Sequence, residues 1–160
     1  MKKKARVYLG IGSNLKNRKK NIAQALKLIE ENADTHIIKT SPVYETNPVG
    51  RVSQGKFLNV AVKIETLLTP NKLLKLLKAI EAKLGRKKSK IKWGPRLIDL
   101  DILLYNNLVL NRKELSIPHK LMQERYFVLG PLNDIAPKIK HPLHKKTINK
   151  LLKELSVLQK

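Results

Sequence analysis

The chain has 160 residues, 42% of them hydrophobic, so a single globular domain over 1–160 is expected and a disordered chain is excluded. It contains no cysteine, which excludes a disulfide framework and any thiolate metal or redox site. Its 34 Lys+Arg against 12 Asp+Glu give a formal net charge of +22, which favours an anionic partner, a nucleotide or non-specifically a nucleic acid, without choosing between them.

Val7 to Gly12 reads as a first strand, and Ser13-Asn14 offer capping oxygens for a helix over about Arg18 to Asn32, with Ile22, Leu26 and Ile29 at helical spacing. Thr35 to Tyr44 reads as a second strand with Pro42 near its end. A Gly/Pro/Ser/Gln-rich loop, Thr46 to Lys56, separates it from a third strand, Phe57 to Glu65. Thr69-Pro70 is a strong helix start. Leu73, Leu74, Leu77, Ile80 and Leu84 continue that helix, and Gly85 stops it. A very basic loop, Arg86 to Lys92, precedes a fourth strand, Ile98 to Tyr105. Beyond it lie a short strand at Val109-Leu110, a helical turn at His119 to Glu124, an apolar segment at Phe127 to Leu132 and an amphipathic helix from Thr147 to Leu158. The order β-α-β-β-α-β with a C-terminal extension predicts an α+β, ferredoxin-like antiparallel sheet with helices on one face. The apolar stretch after the basic start is too short for a signal peptide, and no run reaches membrane-spanning length. A cytoplasmic, monomeric protein without a membrane partner is therefore expected.

The most informative segment is Trp93-Gly-Pro-Arg-Leu-Ile-Asp-Leu-Asp101. On a strand, Asp99 and Asp101 point to one face. Two adjacent carboxylates on an apolar strand repel and lose hydration unless a cation compensates. Oxygen ligands of this kind suit Mg²⁺, which travels with nucleotide phosphates, and Arg96 would add a planar fork for phosphate oxygens. A bare Asp-x-Asp pair is commonly just solvated; the apolar flanks and the Gly-Pro-Arg turn are what point to a metal. The run Arg86 to Lys92 leads directly into this segment and is read as gripping phosphate.

Other signatures fail. Gly10-Ile11-Gly12 invites a dinucleotide-loop reading, but Leu15 occupies the third glycine position, so the glycines are read as letting the chain leave its strand tightly. No P-loop is present, and His36, His119, His141 and His144 lack helical zinc spacing.

With these residues in place, the chain resembles the 6-hydroxymethyl-7,8-dihydropterin pyrophosphokinases of folate biosynthesis. The motifs that carry the resemblance are Leu9-Gly-Ile-Gly-Ser-Asn-Leu15, Ser41-Pro-Val-Tyr-Glu-Thr-Asn-Pro-Val-Gly50, Phe57-Leu-Asn59, Ile80-Glu81 with Leu84-Gly-Arg86, Trp93 to Asp101, Ile117-Pro-His119 and Arg125-Tyr-Phe-Val-Leu-Gly-Pro-Leu132. The resemblance implies transfer of the β,γ-pyrophosphoryl unit of ATP to the pterin hydroxymethyl oxygen, with AMP leaving and two Mg²⁺ ions held by Asp99 and Asp101. It implies that Arg86 and Arg96 stabilise the transferring group and that Trp93 belongs to a mobile catalytic loop. It places Lys78, Glu81, Lys88, Ser116, His119 and Arg125 on the ATP side. On the pterin side it places Phe57 and Phe127 as stacking rings, Asn59 as the reading amide, and backbone groups of Thr46 and Val49. Lys88 and Lys92 stand where the family often has arginine, which keeps charge but loses the bidentate fork.

Rival readings are a basic RNA-binding protein on the same fold, an Asp-x-Asp nucleotide-sugar transferase, and an inert relative. The first lacks the aromatic pattern of an RNA-reading sheet, the second needs a larger nucleotide domain, and Arg86, Arg96, Asp99 and Asp101 together argue against the third.

Overall fold

The computed structural model describes residues 3–47, 55–85 and 97–158. The elements are β1 (Ala5–Ser13), α1 (Arg18–Glu31), β2 (Thr35–Thr40), β3 (Tyr44–Thr46), β4 (Phe57–Thr66), α2 (Pro70–Lys83), β5 (Asp99–Tyr105), β6 (Leu110–Asn111), β7 (Ser116–Ile117), a 3₁₀ turn (Met122–Glu124), α3 (Tyr126–Ile135) and α4 (Ile148–Leu158). The main sheet runs β2-β4-β1-β5, with β3 also paired to β4. Every pairing is antiparallel. The β1-α1-β2 and β4-α2-β5 units each skip over one strand, which is the ferredoxin-like split βαβ arrangement.

Local sequence explains most boundaries. Thr69 caps α2, its side chain accepting from Lys72 N–H, Pro70 occupies the first turn, and Gly85 ends the helix at φ 91°. The cap of α1 is Asn17, not the expected Ser13-Asn14; Asn17 accepts from Lys20 N–H at 3.1 Å. The expected single strand Thr35–Tyr44 is two strands, because Pro42 has no N–H to give a ladder. Ser41 fills the break, donating its N–H to the Ala61 carbonyl at 2.9 Å and accepting the Ala61 N–H on Oγ at 2.9 Å.

The expectation of helices on one face is corrected. One face packs Val7, Leu9, Ile11, Val60, Val62 and Ile64 against Ile22, Ala25 and Ile29 of α1 and Leu73, Leu77 and Ile80 of α2. The other packs Tyr8, Ala61, Leu103 and Leu104 against Leu129 and Leu132 of α3 and Leu151 and Leu155 of α4. Burying each such aliphatic side chain contributes roughly 1.5–3 kcal/mol, so the C-terminal segment is a second helix layer of the core. A bulge on β5 serves this layer. Tyr8 pairs with Leu104 and Leu9 with Ile102, so Leu103 is an inserted residue, and both leucines reach the second core. This layer also covers Tyr8, only 4% exposed, on the face an RNA-reading sheet would have to present.

Candidate active site

Where α3 begins, the second layer leaves a cavity of about 320 Å³ on the sheet. Its floor follows from strand register. Asn59, Gly12 and Asp99 stand side by side on β4, β1 and β5, and Ala61, Gly10 and Asp101 form the next row. The central strand thus offers two glycines on the cavity side, between an amide on one flank and two carboxylates on the other. A Cβ at Gly12 would stand 2.9 Å from Asn59 Oδ1 and 3.6 Å from Phe57 Cδ1. The reading of these glycines as a tight strand exit is therefore corrected: both lie within β1, and their bare backbone clears the cavity floor.

One end of the cavity is aromatic and amide-bearing. Phe57 and Asn59 come from β4, Thr46 and Asn47 from the end of β3, and Phe127 and Val128 from α3. Asn59 Nδ2 donates to Thr46 Oγ1 at 2.7 Å, which orients the Asn59 carbonyl oxygen over Gly12. The Arg125 guanidinium lies 5.5 Å from the Phe127 ring centroid, within cation–π range.

The other end is charged. Asp99 and Asp101 from β5 meet His119 and Arg125 there. His119 is held by its backbone N–H on the Leu103 carbonyl at 3.0 Å. Its Nδ1 accepts from Leu121 N–H at 3.4 Å, which leaves the proton on Nε2. Burial lowers its pKa, the Arg125 charge lowers it further, and Asp99 opposes both. At neutral pH the ring is thus a neutral N–H donor, suited to a phosphate oxygen.

The site is braced from outside the cavity. Asn21 Nδ2 lies 3.1 Å from Ser13 Oγ, 3.0 Å from the Leu15 carbonyl and 3.2 Å from the Leu97 carbonyl, and Ser13 Oγ donates to Leu97 as well. Asn14 Nδ2 donates to the Gly55 carbonyl at 3.1 Å and Arg18 to the Lys56 carbonyl at 2.8 Å. The turn after β1 thus fixes the starts of both β4 and β5. Glu81 does not line the cavity. It is buried on α2, against the opposite face of the sheet, and its Oε2 accepts the N–H of Leu100 at 2.9 Å, between the two aspartates. That bond ties α2 to β5 between the two aspartates.

Of the residues expected from sequence, Thr46, Phe57, Asn59, Asp99, Asp101, His119, Arg125 and Phe127 line this one cavity. Lys78, exposed on α2, and Ser116, on β7, do not. Val49, Arg86, Lys88, Trp93 and Arg96 lie outside the described residues.

The model of the 7,8-dihydro-6-hydroxymethylpterin-pyrophosphokinase (HPPK) family matches residues 8–137. The chain belongs to this family. It is 44% identical over 132 residues, 82% of its own length, to a Bacillus subtilis protein named 2-amino-4-hydroxy-6-hydroxymethyldihydropteridine pyrophosphokinase, covering 78% of it. To the Aquifex aeolicus protein of the same name it is 42% identical over 150 residues, 94% of this chain and 92% of that one. Among solved structures, Plasmodium falciparum HPPK-DHPS superposes with a TM-score of 0.76 at 22% identity over 100% of this chain and 43% of that chain. A second HPPK-DHPS structure, in complex with substrates, gives 0.75 at 18% identity over 99% of this chain and 45% of that one. The chain spans less than half of those two longer proteins, and their likeness establishes the fold. Gly10, Gly12, Asn47 and Val128 are among the cavity-lining residues that sequence reasoning missed. Glycines at i and i+2 of a strand share a face, and that signal was available for the first pair.

Proposed function

We propose that the chain transfers the β,γ-pyrophosphoryl group of ATP to the hydroxymethyl oxygen of 6-hydroxymethyl-7,8-dihydropterin and releases AMP. The observation that carries this reading is the two-ended cavity: an aromatic and amide end joined across a bare glycine floor to a carboxylate, imidazole and guanidinium end. A flat heterocycle suits the first and a polyphosphate the second.

Phe57 and Phe127 hold the pterin ring by its faces, and Asn59, already oriented by Thr46, pairs with its edge. The hydroxymethyl oxygen is thereby directed at the β-phosphorus. A new O–P bond forms, the bond from that phosphorus to the oxygen bridging the α-phosphate breaks, and its electron pair leaves with AMP as the hydroxyl proton is lost. Such transfer depends on in-line positioning and charge stabilisation more than on covalent help. His119 Nε2–H and Arg125 bind the phosphate oxygens, and Arg86, Arg96, Lys88 and Trp93 act from the basic segment. Ser116 and Lys78 serve the nucleotide side and Val49 the pterin side.

Asp99 and Asp101 would hold two Mg²⁺ ions. Among the described residues no group of three potential ligands forms, so phosphate oxygens and water would complete the coordination, as is usual for Mg²⁺. Bound there, the ions supply charge neutralisation at the phosphates.

ATP labelled at the β-phosphorus tests the reaction. The reading requires that label to move to the pterin while the adenosine product is AMP. Transfer of the γ-phosphate alone, with ADP formed, would refute it.

A further inference from the structure

β3 is only three residues long and, among the described residues, pairs only with β4, through Tyr44↔Asn59, Glu45↔Leu58 and Thr46↔Phe57. A strand this short at an edge holds weakly by its ladder alone. Yet it carries Thr46, the partner of Asn59, and Thr46 and Asn47 line the same cavity as Phe127.

Side-chain alternation along β3 is used on both faces of the sheet. Glu45 meets Arg18 of α1 at 3.0 Å on one face, an exposed pair of little worth. Tyr44 turns to the other face and meets α3 at three points. Its hydroxyl donates to the Asp134 carboxylate. Its ring stands edge-on to Tyr126, with centroids 6.2 Å apart and planes at 62°. The ring edge also lies 3.1 Å from where a Cβ at Gly130 would be, so glycine there is what lets the ring approach the helix. Tyr126, Gly130 and Asp134 are spaced i, i+4, i+8 and form one stripe of α3. The neighbouring residues Phe127 and Val128 of that helix line the cavity.

We infer that Tyr44 and Asp134 are positioning residues that set the distance between the β3 wall and the α3 wall of the pterin pocket. The inference deepens the proposed function and rests on it for the identity of the substrate. The clamp joins β3 and α3, which carry Thr46 and Phe127 at the heterocycle end, and acts from outside the cavity: none of Tyr44, Tyr126, Gly130 and Asp134 lines it. Its loss should therefore show in pterin binding and spare the phosphate end. Burial, and next the bond to Asp134, push the Tyr44 hydroxyl up to about 12, so it remains a donor throughout the working pH range.

The test is steady-state kinetics on wild type, Tyr44→Phe, Asp134→Ala, Asp134→Asn and the Tyr44→Phe/Asp134→Ala double variant, with hydrogen exchange on the same proteins. Tyr44→Phe keeps the ring and removes only the hydroxyl. It should raise the KM for pterin by about 3- to 10-fold, the net worth of one ordinary hydrogen bond, and leave the KM for ATP and kcat within about twofold. Asp134→Ala should match it, the double variant should add nothing, and Asp134→Asn should recover part of the loss. Exchange should quicken at the β3 amides and stay unchanged in β1. An unchanged KM for pterin, additive single effects, or equal losses for both substrates would overturn the inference. If wild type forms no AMP, the proposed reaction fails by itself; exchange then decides the clamp, and unaltered β3 exchange in both single variants overturns it.

Discussion

Gly12→Ala perturbs the site by a single methyl group, and the structure sets the size of the effect. The new Cβ would stand 2.9 Å from Asn59 Oδ1, closer than the roughly 3.5–4.0 Å at which such contacts are favourable. The amide must therefore retreat by about half an ångström or more. It is tied to Thr46 at 2.7 Å, so retreat breaks or bends that bond and the substrate bond together. Two hydrogen bonds at about 1 kcal/mol each predict a pterin affinity loss of about 10- to 100-fold. The backbone gives no reason for instability, because among the described glycines only Gly85 has a positive φ. Alanine should even recover part of the ~0.4–1 kcal/mol of unfolded-chain entropy that glycine costs. The assay is calorimetric titration with pterin and, separately, with a non-hydrolysable ATP analogue, alongside thermal denaturation. A selective pterin loss with a near-native Tm fits the account. Unchanged pterin affinity, or equal loss of both ligands with a fall in Tm, would refute the reading of Gly12 as cavity floor.

Asp99→Asn and Asp101→Asn should each reduce metal-dependent turnover by at least about 100-fold; near wild-type turnover would remove the carboxylates from the mechanism. Phe127→Ala should weaken pterin binding far more than ATP binding, and titration of both ligands checks it; equal losses would mark the ring as structural. Glu81→Ala should lower stability by about 1–3 kcal/mol by orphaning a buried N–H at Leu100, while Glu81→Gln keeps an acceptor and most of the stability, as denaturant titration would show. His141 is 2% exposed, and its Nδ1 accepts from Leu143 N–H at 3.2 Å and His144 N–H at 3.1 Å. Burial, then the nearby His144, lower its pKa to about 4. The unfolded chain takes up that proton first, so this contribution to stability is present above about pH 6.5 and is lost as pH falls toward about 4. His141→Asn, which keeps an acceptor near Nδ1, should flatten that part of the stability profile.

The parts of the fold legible in the sequence were those written in local chemistry. Thr69, Pro70 and Gly85 mark α2 from cap to stop because each acts on its own turn. Asp99 and Asp101 were legible because alternation along one strand fixes their common face. The second helix layer was not, since an apolar segment such as Phe127 to Leu132 does not say which surface will cover it. The bulge at Leu103 is a fact of pairing between β1 and β5, which neither strand displays alone. Gly10 and Gly12 were misread because glycine marks both tight turns and close approach, and only Asn59 and Asp99 on the flanking strands decide between them. Glu81 carries a motif position, yet its partner is a main-chain N–H nineteen residues away, which no spacing rule supplies.

The measurement that tests the central claim most directly is AMP formation from ATP by the purified protein, after nuclease treatment and a high-salt wash, with pterin and Mg²⁺ supplied together and each omitted in turn. The account predicts AMP, and pterin carrying two phosphates, only when all components are present. AMP formed without pterin, or none formed by a folded sample with all components, would contradict it.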